Sequence, residues 1–152
     1  MIIFKFNPGA TFAVCLLLLF PLSCGKGTEI MSELPENPLP RCESAGNCAR
    51  MSVRLDVNAH EAAQNMADVI RDMNGTLTRA EALNGEAVFR IPVFGWRDDV
   101  QFLTEPMADG GCVLHLRSKS RVGRYDLGVN RHRLKRIVRL LGYELKEANA
   151  AP

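Results

Sequence analysis

The chain has 152 residues, 47% of them apolar, with 19 Lys and Arg against 17 Asp and Glu. That length accommodates one domain and a short extension, and excludes a multidomain enzyme with several large cores. The net charge of +2 is too small to define a partner by itself, so the distribution of charge carries more information than its sum.

Met1 to Gly9 carries one cation, Lys5, and Ala10 to Leu22 (ATFAVCLLLLFPL) is an almost purely apolar run of thirteen residues. As a helix it extends about 20 Å, short of the roughly 30 Å hydrocarbon core of a bilayer. That is too short for a stable span and right for the apolar region of a secretory signal. The run ends at Leu22-Ser23-Cys24-Gly25. A small residue followed by Cys at this point resembles a bacterial lipoprotein cleavage site, with Cys24 as the lipidated first residue, although Pro21 stands where Leu is usual. A plain cleaved signal and an uncleaved anchor are the alternatives. On the lipoprotein reading residues 1–23 are a signal peptide. The product is then exported and held through an N-terminal lipid on the periplasmic or outer face of a bacterial membrane. Such anchors gain about 0.8 kcal/mol per buried CH₂, and stable attachment needs more than one acyl chain.

Of the five cysteines, Cys15 leaves with the signal and Cys24 takes lipid. Cys42 and Cys48 remain as a pair in a compartment that permits disulfides. A bridge over so short a loop contributes roughly 2–2.5 kcal/mol on the loop-entropy model. Two free thiols are the alternative. The Cys-x5-Cys spacing with no nearby His does not suggest a metal site. Cys112, in the apolar run CVLHL, reads as a buried inert thiol.

Residues 24–41 contain Pro35, Pro38 and Pro40 and no periodicity, which predicts an extended, flexible tether. The globular domain is expected over 42–145, with 146–152 a disordered tail. Met51 to Val57 alternates as a short strand. Asn58 to Asn74 is the clearest helix: Asn58 and Glu61 form a capping box, and Ala62, Met66, Val69, Ile70 and Met73 fall on one face. Gly75 is expected to supply its left-handed stop. Thr76 to Ala82 and Ala87 to Val93 flank Asn84-Gly85, a two-residue hairpin signal. A second pair, Asp98 to Thr104 and Cys112 to Ser118, is joined by Glu105 to Gly111. A second helix is expected over Gly128 to Leu141, with Leu134, Ile137, Val138 and Leu141 as its stripe, Gly142 as its stop and Asp126 placed to cap it. The order β-α-β-β-β-β-α predicts an α+β fold, a curved antiparallel sheet of about five strands with both helices packed on one face.

The densest polar segment is Arg117 to Arg133, RSKSRVGRYDLGVNRHR. From Arg117 to Arg139 there are nine Lys or Arg and one acid, Asp126. Three segments resemble the domain-of-unknown-function 1499 family: Cys42-Glu-Ser-Ala-Gly-Asn-Cys48, Phe94-Gly-Trp-Arg-Asp-Asp-Val-Gln-Phe102, and Arg117 to Gly123 running on through Asp126 to Arg131. The first lacks the prolines usual in that loop, and in the third Lys119 and Tyr125 stand where small residues are commoner. The resemblance spans residues 40 to 141 and implies a compact α+β domain, often behind a secretion signal, with no agreed activity.

Three readings of the polar segment remain open. In the first, Asp98, Asp99 and Asp126 belong to a structural ion-pair network, with Asp98 and Asp99 lying opposite Lys119 and Ser118 and close to Arg117 and Arg121. In the second, Arg117, Ser118, Ser120, Arg121, Asn130 and Arg131 form an anion site before the free N–H groups of the second helix. Its ligand would be a lipid headgroup, another anionic small molecule or an acidic envelope protein. The third is a small enzyme or carrier using a cationic pocket of Arg117, Arg121 and Arg131. Adjacent Asp98 and Asp99 point to opposite faces of a strand and make a poor acid–base pair. No nucleophile-elbow glycines surround Ser118 or Ser120. No phosphate-loop, dinucleotide or metal-ligand motif is present, so neither cofactor nor catalytic residue is expected. Export also removes the chain from nucleic acid. The sequence therefore points to a bacterial cell-envelope lipoprotein acting as a non-enzymatic binding or structural module.

Overall fold

A computed structural model of the chain describes residues 34–91 and 95–143. The expected signal, Cys24, most of the tether, Phe94 and the C-terminal tail lie outside the described residues. The elements run β1 (Cys48–Leu55), α1 (Ala59–Asp72), β2 (Thr76–Ala80), β3 (Asn84–Arg90), β4 (Arg97–Pro106), β5 (Cys112–Ser120) and α2 (Val129–Leu140). The strands form one antiparallel sheet in the order β1-β5-β4-β3-β2. The fold is α+β in the expected order.

Alternation decides which side chains meet the helices. One face carries Met51, Val53 and Leu55 of β1, Ala87 and Phe89 of β3, Val100 and Phe102 of β4, and Leu114 and Leu116 of β5. Ala62, Met66 and Ile70 of α1 and Leu134, Ile137 and Val138 of α2 close over it in one continuous core. The other face carries Arg50, Ser52 and Arg54 beside Val113, His115, Arg117 and Lys119, then Asp99, Gln101 and Glu105. β5 lies between two partners, with the helices over its even-numbered residues and side chains of β1 and β4 (Ser52, Gln101 and Glu105) against its odd-numbered ones, so every residue from Cys112 to Ser118 is buried.

Asn58 Oδ1 accepts from Glu61 N, so the expected cap of α1 is present. The left-handed residue at its other end is Asn74, at φ 60°, rather than Gly75. Gly75 N donates to Ile70 O and Asn74 N to Arg71 O, the paired bonds of a Schellman ending. Gly75 is there for space: a Cβ would stand 2.6 Å from the Phe89 ring and 2.8 Å from Ile70. The first hairpin also differs from expectation. Asn84 and Gly85 lie inside β3, and the chain reverses over residues 81–83. A Cβ on Gly85 would meet the Phe102 ring at 2.6 Å, so this glycine too admits an aromatic ring. In both places sequence reading took a packing glycine for a conformational one.

The end of the expected tether is fastened to the domain. Residues 34–41 form no helix or strand. Asn37 Nδ2 nevertheless donates to Met51 O at 3.0 Å, and the Arg50 guanidinium donates to Leu39 O at 2.8 Å and to Asn37 O. This strap lies against β1, the edge strand of the sheet, and Asn37 also reaches Leu116 O of the neighbouring β5.

The two glycine roles separate experimentally. Gly75→Ala should destabilise by about 1–3 kcal/mol through overpacking, whereas Asn74→Gly should change stability by no more than about 1 kcal/mol. Urea unfolding of both variants checks the pair.

Candidate functional site

The polar segment folds into a buried network where β4, β5 and α2 meet. The hairpin register places Asp98 opposite Ser120 and Asp99 opposite Lys119. The sequence-based pairing of Asp98 with Lys119 is therefore off by one residue. A slip of one matters because paired residues share a face. Asp98 joins Ser118 and Ser120 on the helix side, and Asp99 joins Arg117 and Lys119 on the other.

On the helix side Arg133 NH2 donates to Asp98 Oδ2 at 2.6 Å, and the two side chains are 7% and 3% exposed. Arg133 NH1 donates to Ser118 Oγ and to Asn130 Oδ1. The guanidinium also lies 5.0 Å from the centroid of the Phe89 ring. The Asn130 amide donates to Ser120 Oγ, Asp126 Oδ2 and Asn47 O. Asp126 accepts from Gly128 N at 2.8 Å and Asn130 N at 3.0 Å. Burial opposes ionisation of Asp126, but these backbone and side-chain donors outweigh it and hold the carboxyl below the usual aspartate range. The helix N-terminus that sequence reading offered to an external anion is thus filled from within the chain.

The second face carries two further polar groupings. Asp99 takes a bidentate fork from Arg121, with N–O distances of 2.7 to 3.1 Å. Arg117 and Arg121 line a cavity of about 320 Å³ with Asp99, Gln101 and Glu86. Arg117 donates to Gln101 Oε1, while its buried Nε has no hydrogen-bond partner among the described residues. Burial, and then the like charge of Arg50 directly across the β1–β5 pair, pull the Arg117 guanidinium below its usual range. Beside them Ser52 Oγ lies 2.9 Å from His115 Nδ1, and His115 Nε2 lies 3.1 Å from Glu105 Oε2. This Ser–His–Glu chain has the members of a hydrolytic triad but not its surroundings. His115 is fully buried within it. It ties three strands together.

The third region surrounds the Cys42–Cys48 disulfide, which the structure contains, with Cys112 free and buried. A cavity of about 460 Å³ there is lined by Arg41, Arg50, Arg131 and Lys135 over Ala45, Ala49, Met51 and Leu134, with no acid among its lining residues.

The candidate residues therefore separate into three places. Ser118, Ser120 and Asn130 are in the buried network with Asp98 and Asp126. Arg117 and Arg121 lie on the opposite face with Asp99. Arg131 lies beside the disulfide. They do not converge on one pocket. Sequence reading missed Arg133, Asn47, Ser52 and Glu105. The signal for Arg133 was present: one turn before Ile137, it continues the apolar stripe of α2. Its charge argued for solvent, and only the acid on β4 explains its burial.

Removing one partner of the buried pair should be costly. Arg133→Ala should lose about 3–5 kcal/mol in chemical denaturation. Arg121→Ala, removing an ion pair whose side chains are 46% and 40% exposed, should leave the unfolding midpoint close to wild type. Asp126 gives a pH signature. Its folded-state pKa is depressed, so its contribution is present above the unfolded value near 4 and is lost as pH falls through the folded one. Wild type should lose stability below about pH 4 more steeply than Asp126→Asn, as followed by thermal melts across pH.

No curated protein matches the chain. A family model described as a protein of unknown function, DUF1499, matches residues 35–141. The match takes in both helices, all five strands, the disulfide and the Asn37 strap. Covering well over half of the sequence, it establishes that the chain belongs to the DUF1499 family.

Proposed function

We propose that the protein is a lipid-anchored, non-enzymatic binding module of the bacterial cell envelope. The observation that carries the non-enzymatic part is the internal use of the polar segment. Ser118, Ser120, Asn130 and Asp126 spend their donors and acceptors on one another and on Arg133. A nucleophile or base must face substrate, and Ser118, Ser120 and Asn130 are buried inside this network. The binding capacity lies in the cations around the disulfide. Arg41, Arg50, Arg131 and Lys135 line one concavity with no acid among its lining residues; Arg41 pairs with Glu36 and Arg50 holds the strap, so Arg131 is the cation that most favours phosphate or carboxylate there. The anchor rests on the apolar run before Cys24, on the short tether, and on the disulfide, a bond typical of exported proteins.

A carrier of a small anion is the second reading. The unpartnered Nε of Arg117, beside the cavity shared with Arg121, favours it. Asp99 and Glu86 line the same cavity and oppose an anion there, so this reading ranks below the first.

Metabolic labelling with an alkyne fatty acid tests the anchor. Wild type should incorporate label and Cys24→Ser should not. No label on wild type, or equal label on both, removes the lipoprotein from the proposal.

A further inference from the structure

Between β5 and α2 the chain turns apolar side chains outward. Tyr125 is 81% exposed and Leu127 95%, with Val122 and Val129 exposed beside them. Leu127 also sits at φ 53°, where a branched side chain is uncommon. The loop is nevertheless braced. Asp126 N donates to Gly46 O at 2.8 Å, and Asn47 Nδ2 donates to Gly123 O at 2.6 Å. The Asp126 carboxylate holds the next turn. A folded domain gains nothing by bracing two large apolar groups in water, so this prong is shaped for something outside it.

The surroundings of the prong are cationic. Arg124 and Arg131 flank it, and neither has an ion-pair partner among the described residues. Tyr125, Leu127, Arg131 and His132 line a cavity of about 470 Å³ against the disulfide loop. Arg131 belongs equally to the neighbouring cavity with Arg41 and Lys135. The one acid in this stretch, Asp126, has its carboxylate engaged by Gly128 and Asn130.

We infer that the loop from Arg121 to Val129 is a membrane-docking prong: Tyr125 and Leu127 enter the interfacial layer of an anionic bilayer while Arg124 and Arg131 meet lipid phosphates. Two arguments name the bilayer as occupant. The first is charge and amphipathy, since apolar tips rimmed by arginine match an acyl–phosphate boundary, and Tyr suits that depth. The second is reach, and it rests on the anchor proposed above. Residues 25–33 separate Cys24 from Leu34, and such a stretch spans at most about 30 Å. That is comparable to the width of a domain of this size. The strap of residues 36–41 leads into Cys42, whose loop is bonded to the prong through Gly46. The anchoring chain thus meets the domain at Asn37, beside the middle of β1, and runs from there to the disulfide loop that carries the prong.

Depth-dependent quenching tests the inference on the full, lipidated protein in vesicles of phosphatidylethanolamine and phosphatidylglycerol with brominated acyl chains. Trp96 is the only tryptophan, so Trp96→Phe gives a silent background. Into it go Tyr125→Trp and, at the β4–β5 turn at the other end of β5, roughly 25–30 Å away, Ala108→Trp. The Tyr125→Trp emission should be quenched several-fold and shifted to the blue, and the Ala108→Trp emission should not. Adding Leu127→Ser, at an exposed position the fold does not need, should remove most of the quenching. Equal quenching at the two positions, or none at Tyr125→Trp, overturns the prong and leaves an acidic protein as the occupant of that surface. Intact mass reads the lipid on Cys24 separately. A lipidated protein unquenched at Tyr125→Trp keeps the anchor and loses the prong, and an unlipidated one quenched there keeps the prong and loses the anchor.

Discussion

The buried ion pair of Arg133 and Asp98 is the constraint on which the rest of the domain depends. Two charges withdrawn from water cost several kcal/mol each unless their remaining valences are met. Arg133 meets them with Asp98, Ser118, Asn130 and the Phe89 ring, drawing on β4, β5, α2 and β3. The pair adds little net stability over a well-packed apolar substitute, but it makes alternatives expensive. A one-residue slip of β4 against β5 would turn Asp98 to the far face and Asp99 to the helix side, breaking the Asp98–Arg133 bond and taking Asp99 from Arg121. The network thereby sets the register, and the register places Arg117, Arg121 and Asp99 on the opposite face.

From that register follows the division of the cationic segment. Its even-numbered strand residues, Ser118 and Ser120, are internal. Its odd-numbered ones face the second surface. Beyond Ser120 the chain leaves the sheet, and Asn130 returns it to the core. The loop between is tied to the disulfide loop through Gly46 and Asn47, so the Cys42–Cys48 bridge and the prong share one corner. Arg131, one residue from the buried Asn130, points its charge to that corner rather than to the network. What sequence reading took as a single pocket is two surfaces and a core joint.

Much of the fold was legible because local signals agreed with burial. The Asn58 cap of α1, the stripe from Ala62 to Ile70, the stripe from Leu134 to Val138, and the stop at Gly142 all stand, while Glu61 accepts from the Asn58 side-chain amide rather than closing the capping box on its backbone N–H. What failed depended on contacts between distant segments. Gly75 and Gly85 are required by the Phe89 and Phe102 rings, and no local pattern reports a ring from another strand. The hairpin register hinges on loop geometry between Pro106 and Cys112, where turn residues allow more than one pairing. The strap at Asn37 looked like tether because its bonds go to backbone groups of β1 and β5. Arg133 was given no role because burying a guanidinium makes sense only once Asp98 is beside it.

The most direct measurement of the central claim is a double-mutant cycle on Asp98 and Arg133, with Asp98→Ala, Arg133→Ala and the double variant unfolded in urea. If the pair is the joint described, the coupling energy is about 2 kcal/mol or more, with each single change nearly as harmful as both together. Additive losses, with a coupling near zero, would show that the two side chains act independently and that something else holds the sheet, the helix and the register in place.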